Sequence, residues 1–332
     1  MSCYNASQYL PEAIASTLRQ TYSDYEFILI NDGSTDDTLG IIKRYAKQDH
    51  RIIVIDKGNT GLVHSLNVGL DVARGEWIAR LDADDISLPD RFEKQLAFLD
   101  NSHSVVLVGA GCTLIDEHGT LGPNYHYPSK HNLLVNQICR YGSPFPHSSA
   151  MFHRQTAMSL SGYNPRFVRS QDADLWLRLS EFGEIACLFD PLVKIRKHTS
   201  NISNYESGSL PMIMGMAARI CHLIRSKGAK DPSQDNDAAW NQFVEWLTGQ
   251  IEQESCFEAR RQWSNMRHDF YSSIPLDGKL RAALTLTRRL LTSGHVCQII
   301  KNRLFSSNLH LLLANEWTQV NATKEKSYQS CI

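Results

Sequence analysis

Glu76-Trp77-Ile78-Ala79-Arg80-Leu81-Asp82-Ala83-Asp84-Asp85 is the most informative segment of this chain. Trp77 to Leu81 is an apolar run interrupted by one arginine, the length of a strand buried in a sheet. Three carboxylates then fall within four residues, which a packed core does not accept unpaired. Residues two apart in a strand face the same side, so the pattern predicts that Asp82 and Asp84 converge at the strand end. Two convergent hard oxygen donors suit Mg²⁺ or Mn²⁺, with a diphosphate supplying further ligands. The same residues also read as a solvated acidic loop that starts a helix. Ser87-Leu88-Pro89-Asp90 is a helix entry with proline at or near the first position.

The flanking segments favour the first reading. Tyr25 to Ile30 predicts a strand, stopped by Asn31-Asp32-Gly33-Ser34-Thr35-Asp36, where Gly33 allows a tight turn and Ser34 to Asp36 can cap a helix over 37–46. Asp36 and Asp37 read as capping charges. A helix over 9–20, a strand over 51–55, a helix over 61–72, a helix over 89–99 and a strand near 105–108 complete the series. This alternation predicts a parallel, doubly wound α/β sheet, whose ligands bind outside the carboxyl ends of the strands. Asp32 and Asp82 each follow a strand and so fall on that edge.

Residues 121–146, rich in Pro, Gly, His and Tyr, predict an irregular, partly mobile segment. A strand over 148–152 and a turn at Ser161-Gly162-Tyr163 follow. Gln171-Asp172-Ala173-Asp174 then leads into a short helix closed near Gly183, with strands over 185–189 and 191–195 beyond it. After about residue 205 the pattern becomes helical, as in 212–226 and 238–252. The predicted domains are therefore 1–205, an α/β nucleotide-binding unit, and 206–332, a mostly helical region. In the latter, residues 279–305 mix Arg281, Arg288, Arg289, Lys301 and Arg303 with apolar residues. They read as a bundle helix or, alternatively, as a basic face held on an anionic membrane surface.

Composition narrows the function classes. The net charge of −1 over 332 residues gives no overall attraction to nucleic acid. The eight cysteines form no Cys-x-x-Cys pair, which argues against zinc ribbons and thioredoxin-like chemistry and for reduced thiols in a cytoplasmic protein. No apolar run approaches the roughly 18 residues that span a bilayer, so the expectation is a soluble protein or one peripheral on the inner face of the membrane.

The ordered motifs resemble the family 2 glycosyltransferases, inverting enzymes with a GT-A (Rossmann-like) fold. The matching residues are Tyr4-Asn5-Ala6, Leu10-Pro11-Glu12-Ala13-Ile14, Gln20-Thr21-Tyr22, Asn31-Asp32-Gly33-Ser34-Thr35-Asp36, Gly61-Leu62, Asn67-Val68-Gly69-Leu70, Leu81-Asp82-Ala83-Asp84-Asp85 and Gln171-Asp172-Ala173-Asp174-Leu175-Trp176-Leu177-Arg178-Leu179. The resemblance implies a nucleotide-sugar donor, UDP- or GDP-linked, and a saccharide or lipid-linked saccharide acceptor in cell-surface polysaccharide or lipopolysaccharide synthesis. It implies that Asp32 bonds the donor base and that Tyr4 and Asn5 line the donor site. Asp82 would meet the ribose or the metal, Asp84 would ligate Mn²⁺ or Mg²⁺, and Asp172 would be the catalytic base, with Asp174 the substitute if the register is off by two. Arg196-Lys197-His198 with Ser203 resembles a loop closing over the phosphates, which would bring His198 to the metal or diphosphate. His147 and Trp176 resemble acceptor-side positions, although a structural histidine and a core tryptophan are the plainer readings.

Without the resemblance, Asp172 reads first as the N-cap of the Leu175 helix. An inverting transfer needs one base for the acceptor hydroxyl and a cation for the departing diphosphate, and these carboxylates would supply both. Glycoside hydrolysis would instead need acid and base flanking one bond, and a sugar nucleotidyltransferase a glycine-rich phosphate loop near its start. The resembling family begins with an apolar strand ahead of the segment matching Met1-Ser2-Cys3-Tyr4-Asn5, and here that strand is absent. The expectation is a start set too late; the alternatives are a replacement within the fold or an impaired nucleotide-sugar- or glycan-binding protein.

Overall fold

The computed structural model describes residues 1–199, 201, 210–253, 311 and 313–318. Its first half is built as the apolar periodicities predict. Strand β1 (Ser2–Cys3), helix α1 (Leu10–Leu18), strand β2 (Phe27–Asp32), helix α2 (Thr38–Ala46) and strand β3 (Ile52–Lys57) come first. Helix α3 (Leu62–Val72), strand β4 (Trp77–Ala79), strand β5 (Ile86–Ser87), helix α4 (Arg91–Asp100) and strand β6 (Val105–Ile115) follow. β1, β2 and β3 form a parallel three-stranded sheet, in which Phe27 to Asp32 lie beside Ile52 to Lys57. α1 enters on Pro11, where a missing N–H costs nothing, and buries Leu10, Ala13 and Ile14. Leu10 and Ile14 join Cys3, Phe27, Leu29, Ile41, Ile42 and Ile52 in one apolar core.

The second sheet departs from the all-parallel expectation. Strand β7 (Leu121–Tyr125), helix α5 (His131–Tyr141), a 3₁₀ turn (His147–Ser149), strand β8 (Met151–His153), helix α6 (Arg154–Ser159), helix α7 (Gln171–Ser180) and strand β9 (Glu184–Arg196) complete it. Its order is β4-β8-β6-β9-β5, with β7 also on β6. Only β6 and β9 are parallel there; β8 runs antiparallel to β4 and β6, β7 to β6, and β5 to β9. For β7 the reason is a hairpin turn in place of a helical crossover. Asp116 Oδ1 accepts the N–H groups of His118 and Thr120, and Gly119 sits at φ 86°, so β6 folds straight back into β7. Residues 121–146 are accordingly not irregular. α5 buries Leu134 and Ile138, one turn apart, and ends at Gly142 with φ 97°.

The two strands predicted over 185–195 are one continuous strand, β9, whose register on β6 shifts around Gly111. A Cβ on Gly111 would lie 2.8 Å from the carbonyl oxygens of both Phe189 and Tyr125, so only glycine lets three backbones converge there.

The first strand, expected to be absent, is present as a two-residue stub. Ser2 and Cys3 pair with Ile30 and Asn31, and the Met1 ammonium donates to Ile28 O at 2.8 Å. Burial lowers that amine to about 6. A cavity of about 1190 Å³ lies between β2 and β4, lined by Met1, Ile28, Ile30, Leu70, Ile78 and Phe152 among others.

The chain divides into two compact units, the first running from Met1 to Arg219 and the second beginning at Ile220, whereas the sequence pattern changes near 205. Helix α8 (Leu210–Ser226) spans the boundary, and helix α9 (Asp237–Gln253) belongs to the second unit. There Phe243 packs against Trp240, Trp246 and Trp317 with ring centroids 5.0–6.0 Å apart. Among the described residues no helix is long and apolar enough to cross a membrane. Residues 279–305 and Ser203 lie outside the described residues.

Candidate active site

The three carboxylates after β4 sit in a turn rather than in the strand, so the turn and not the strand pleat sets their directions. Each is held differently. Asp82 pairs through Oδ1 with the buried guanidinium of Arg80, its N–H donates to Ser148 Oγ at 3.0 Å, and its Oδ2 lies 2.9 Å from the same hydroxyl. Burial pushes this carboxyl up, but the charge of Arg80 and the hydrogen bonds from Arg80 and Ser148 outweigh it and hold Asp82 below its usual range. Asp84 Oδ2 lies 3.0 Å from His198 Nε2 and 3.1 Å from Asn201 Nδ2. Burial and then the charge of Asp82 raise Asp84, with His198 opposing. Side-chain exposures of 38% for Asp82 and 28% for Asp84 leave both within reach of a ligand.

Asp85 is buried. Its Oδ1 accepts the backbone N–H of Arg196 at 2.9 Å, and its Oδ2 lies 2.5 Å from Ser148 Oγ. Burial first, then the charges of Asp82 and Asp84, push it up to about 8. The Ser148 hydroxyl thus lies between two carboxylates, Asp82 and Asp85, and bridges them. Arg196, at the end of β9, donates from Nε to Asp84 O at 3.0 Å and from Nη2 to Glu12 Oε2 at 2.5 Å. Its guanidinium lies 4.7 Å from the centre of the Tyr9 ring, which in turn sits 4.7 Å from the His198 ring.

The first turn of α7 carries the next pair of acids. Asp174 Oδ2 accepts from Arg178 Nε at 3.0 Å and from Nη2 at 2.6 Å, both side chains fully buried. Arg178 also holds the carbonyls of Leu160 and Gly162. Asp174 is thus held in a buried ion pair with Arg178. Asp172 is half-buried and engages Ser143. Burial raises it, opposed by Ser143, the helix N–H groups and the charge of Arg80. His147 Nε2 lies 2.8 Å from Tyr163 Oη, and burial together with Arg80 keeps the imidazole neutral. Trp176 is fully buried against Phe145, His147 and Phe152, so the core reading holds.

Asp32 closes β2 and gathers the β3–α3 connection. It pairs with Lys57 through Oδ1, which also accepts Thr60 N at 2.9 Å, while Oδ2 accepts Gly61 N at 3.0 Å. Burial raises this carboxyl, but those donors outweigh it and lower it. Asn5, at φ 47°, accepts Thr35 N at 2.8 Å and fixes the turn after β2, while Tyr4 is exposed. Asp36 caps α2 through Thr38 N at 3.0 Å and ties in Ser7 N at 3.0 Å.

No group of three His, Cys, Asp or Glu side chains among the described residues is placed to hold a metal by itself. The donor set nevertheless fits a hard divalent cation. Two exposed carboxylates with an imidazole beside one of them suit Mn²⁺ or Mg²⁺ when substrate phosphates complete the shell.

The structure brings Asp82, Asp84 and His198 together, and the charge of Arg80 reaches both Asp82 and Asp172. Asp32, Tyr4 and Asn5 belong to the β2 side. Sequence reasoning included Arg196 in the predicted phosphate loop and Asp85 in the carboxylate run, but did not foresee that Ser148 and Arg196 would meet Asp85. A third carboxylate beside two predicted ligands was the available signal for Asp85.

The family model described as "Glycosyl transferase family 2" matches residues 1–159. The amylovoran biosynthesis glycosyltransferase AmsE of Erwinia amylovora is 34% identical over 200 residues, covering 59% of this chain and 74% of that protein. Residues 1–349 of TarS of S. aureus, solved with UDP-GlcNAc, superpose with a TM-score of 0.57 at 17% identity, over 96% of this chain and 90% of that one. The mannosyltransferase PcManGT of Pyrobaculum calidifontis, solved with GDP-Man and Mn²⁺, gives 0.52 at 15% identity, over 95% and 84%. These structures share the GT-A fold with this chain, and the sequence match settles its kinship: it is a glycosyltransferase and belongs to family 2.

Proposed function

We propose that this enzyme moves a sugar, with inversion, from a nucleoside-diphosphate donor to a saccharide or lipid-linked saccharide in polysaccharide assembly. The observation that carries this reading is the division of labour among the carboxylates. Asp84 with His198 and Asp82 form an open donor-side cluster, while Asp172 stands apart with a raised affinity for protons. The UDP-GlcNAc and GDP-Man bound in the two structural neighbours, and the polysaccharide named for AmsE, support the donor and acceptor classes.

Asp172 takes the proton of the acceptor hydroxyl as its oxygen attacks the anomeric carbon in line. The bond from that carbon to the diphosphate oxygen breaks, and its electrons leave with the nucleoside diphosphate. Asp84, His198 and Asp82 would hold a divalent cation, whose charge supports the departing diphosphate. The Mn²⁺ of the PcManGT structure supports that assignment. Asp32 and Lys57, with Asn5 and Tyr4 above the turn after β2, take the base end of the donor. An acceptor carried on a lipid puts the reaction at the cytoplasmic face of a membrane.

A thermal-shift titration with UDP, GDP and their sugar conjugates, with and without Mn²⁺, tests the donor site. A metal-dependent rise with one nucleotide is expected. Binding without transfer to any acceptor would leave a nucleotide-sugar-binding protein, and no shift at all would overturn the reading.

A further inference from the structure

We infer that Asp85 is a positioning residue that latches the Asp82–Asp84 turn to the end of β9 and to Ser148, setting the geometry of the donor-side ligands without touching the donor. The inference rests on the donor-site reading above. It starts from burial: Asp85 is 4% exposed, beneath two carboxylates that are reachable.

Its two oxygens join three segments distant in sequence. Oδ1 accepts from the N–H of Arg196, and Oδ2 meets the Ser148 hydroxyl, which also receives the Asp82 N–H. Arg196, fixed in this way, returns a bond from Nε to the carbonyl of Asp84 and lies two residues before His198. The Asp82 N–H and the Asp84 carbonyl are therefore both held by groups that Asp85 engages, and His198 follows from the same anchored strand end. Ser148 is itself rigid. It follows His147, and the adjacent Ser149 is built into β6 through the Ala110 N–H. A group that hydrogen-bonds the holders of a metal ligand typically governs metal affinity roughly 10–100-fold.

The latch consists of two directed contacts, one accepted from Arg196 N and one shared with the Ser148 hydroxyl, and an amide has the shape to keep both. In Asp85→Asn, Oδ1 still accepts from Arg196 and Nδ2 donates to Ser148. Asp85→Ala removes both contacts.

Two measurements on the full chain test this. Hydrogen–deuterium exchange of the metal-free protein reads the latch itself. Asp85→Ala is expected to speed exchange in peptides covering 82–88 and 194–199, with Asp85→Asn close to the parent. Equal exchange in the parent and Asp85→Ala overturns the latch whether or not a donor binds. The second measurement is Mn²⁺-dependent UDP-sugar turnover. Asp85→Ala is expected to raise the half-saturating Mn²⁺ about tenfold with kcat far less affected, and Asp85→Asn to restore it. Loss of activity in Asp85→Asn equal to that in Asp85→Ala would make Asp85 a direct participant and overturn the assignment. So would a fall in melting temperature with half-saturating Mn²⁺ unchanged, the mark of a merely structural residue. Absence of metal-dependent turnover in the parent would defeat the donor-site reading, leaving the exchange result to decide the latch.

Discussion

Asp174 and Arg178 face one another one helical turn apart on α7, 2.6 Å between Oδ2 and Nη2, with both side chains out of contact with water. Asp172, two residues earlier, lies on a different side of the helix and engages Ser143 instead. One acid of the pair thus serves the fold and the other is left for chemistry. Exchanging their amides separates the roles. Asp172→Asn is expected to abolish transfer while retaining nucleotide binding and the parent melting temperature. Asp174→Asn strips a buried guanidinium of its counter-charge and is expected to cost about 3–5 kcal/mol, or roughly 10 °C. Thermal melts beside a transfer assay decide it, and the reverse pattern would reassign the base.

The raised affinity of Asp172 for protons has a kinetic signature. A base must be ionised to accept the acceptor proton, so kcat/KM falls as pH drops through its pKa. Because burial raises that pKa, the acid limb is expected above the ordinary carboxylate range, near 3.9 for an unperturbed aspartate. A limb at or below that value would remove Asp172 from the role.

His198 stands beside Asp84 and is stacked on Tyr9. His198→Ala is expected to weaken Mn²⁺ activation of donor binding by roughly tenfold, with the loss recovered at high metal. Calorimetric titration of UDP at several Mn²⁺ concentrations reads this directly. Unchanged metal dependence would place the imidazole outside the site.

Asp36 offers a pH test of the fold. Burial raises it, but the hydrogen bonds from Thr38 and Ser7 together prevail and lower it to about 2. Its folded pKa thus lies below its unfolded one. The stability it contributes is complete above about pH 4 and is lost as pH falls through 2. Asp36→Ala is therefore expected to lower the melting temperature at pH 7 and to match the parent near pH 2, as calorimetry at both values would show.

The cavity between β2 and β4 has free backbone on both walls. Met1 bonds Ile28 and Ile30, so the alternate residues of β2 face it, while Glu76 and Arg80 bond β8 and leave Trp77 and Ala79 facing inward. A short apolar strand such as Val-Thr-Val-Thr-Ile fused ahead of Met1 is expected to pair with both edges and to replace the buried Met1 amine by a peptide group. A rise of several degrees in melting temperature is expected, with none from a Gly-Ser fusion of equal length. Equal melts would mean that the walls close on each other in solution.

Much of this was legible in the residues because it is local. The apolar spacings of α1, α3 and β2, the Pro11 entry and the turn at Gly33 depend on neighbours a few positions away. The carboxylate run announced itself through its density of charge. Asp174 could have been separated from Asp172 as well, since Arg178 follows it at helical spacing. The mixed direction of the second sheet was not legible, because it depends on pairings such as β5 with β9 and β4 with β8 between segments distant in sequence, and the β6–β7 hairpin at Asp116 to Gly119 reads like any polar loop. Nor were Ser148 and Arg196: a serine and an arginine acquire meaning only when strands distant in sequence place them against Asp85.

The partnership of β6 with β9 sets the order in which this enzyme can mature. The strands align from Val105 beside Glu184 to Ile115 beside Arg196, and Asp85 waits 111 residues for the N–H that completes it. Closing so long a loop is slow relative to local helix formation, so the donor side is assembled late in folding. A nascent chain that has emerged only as far as α7 presents the buried strand β6 with an open edge, a template for pairing with other chains. The same contact that finishes the site is the one that ends that exposure, and any variant slowing the docking of β9 would be recognised first by aggregation during synthesis.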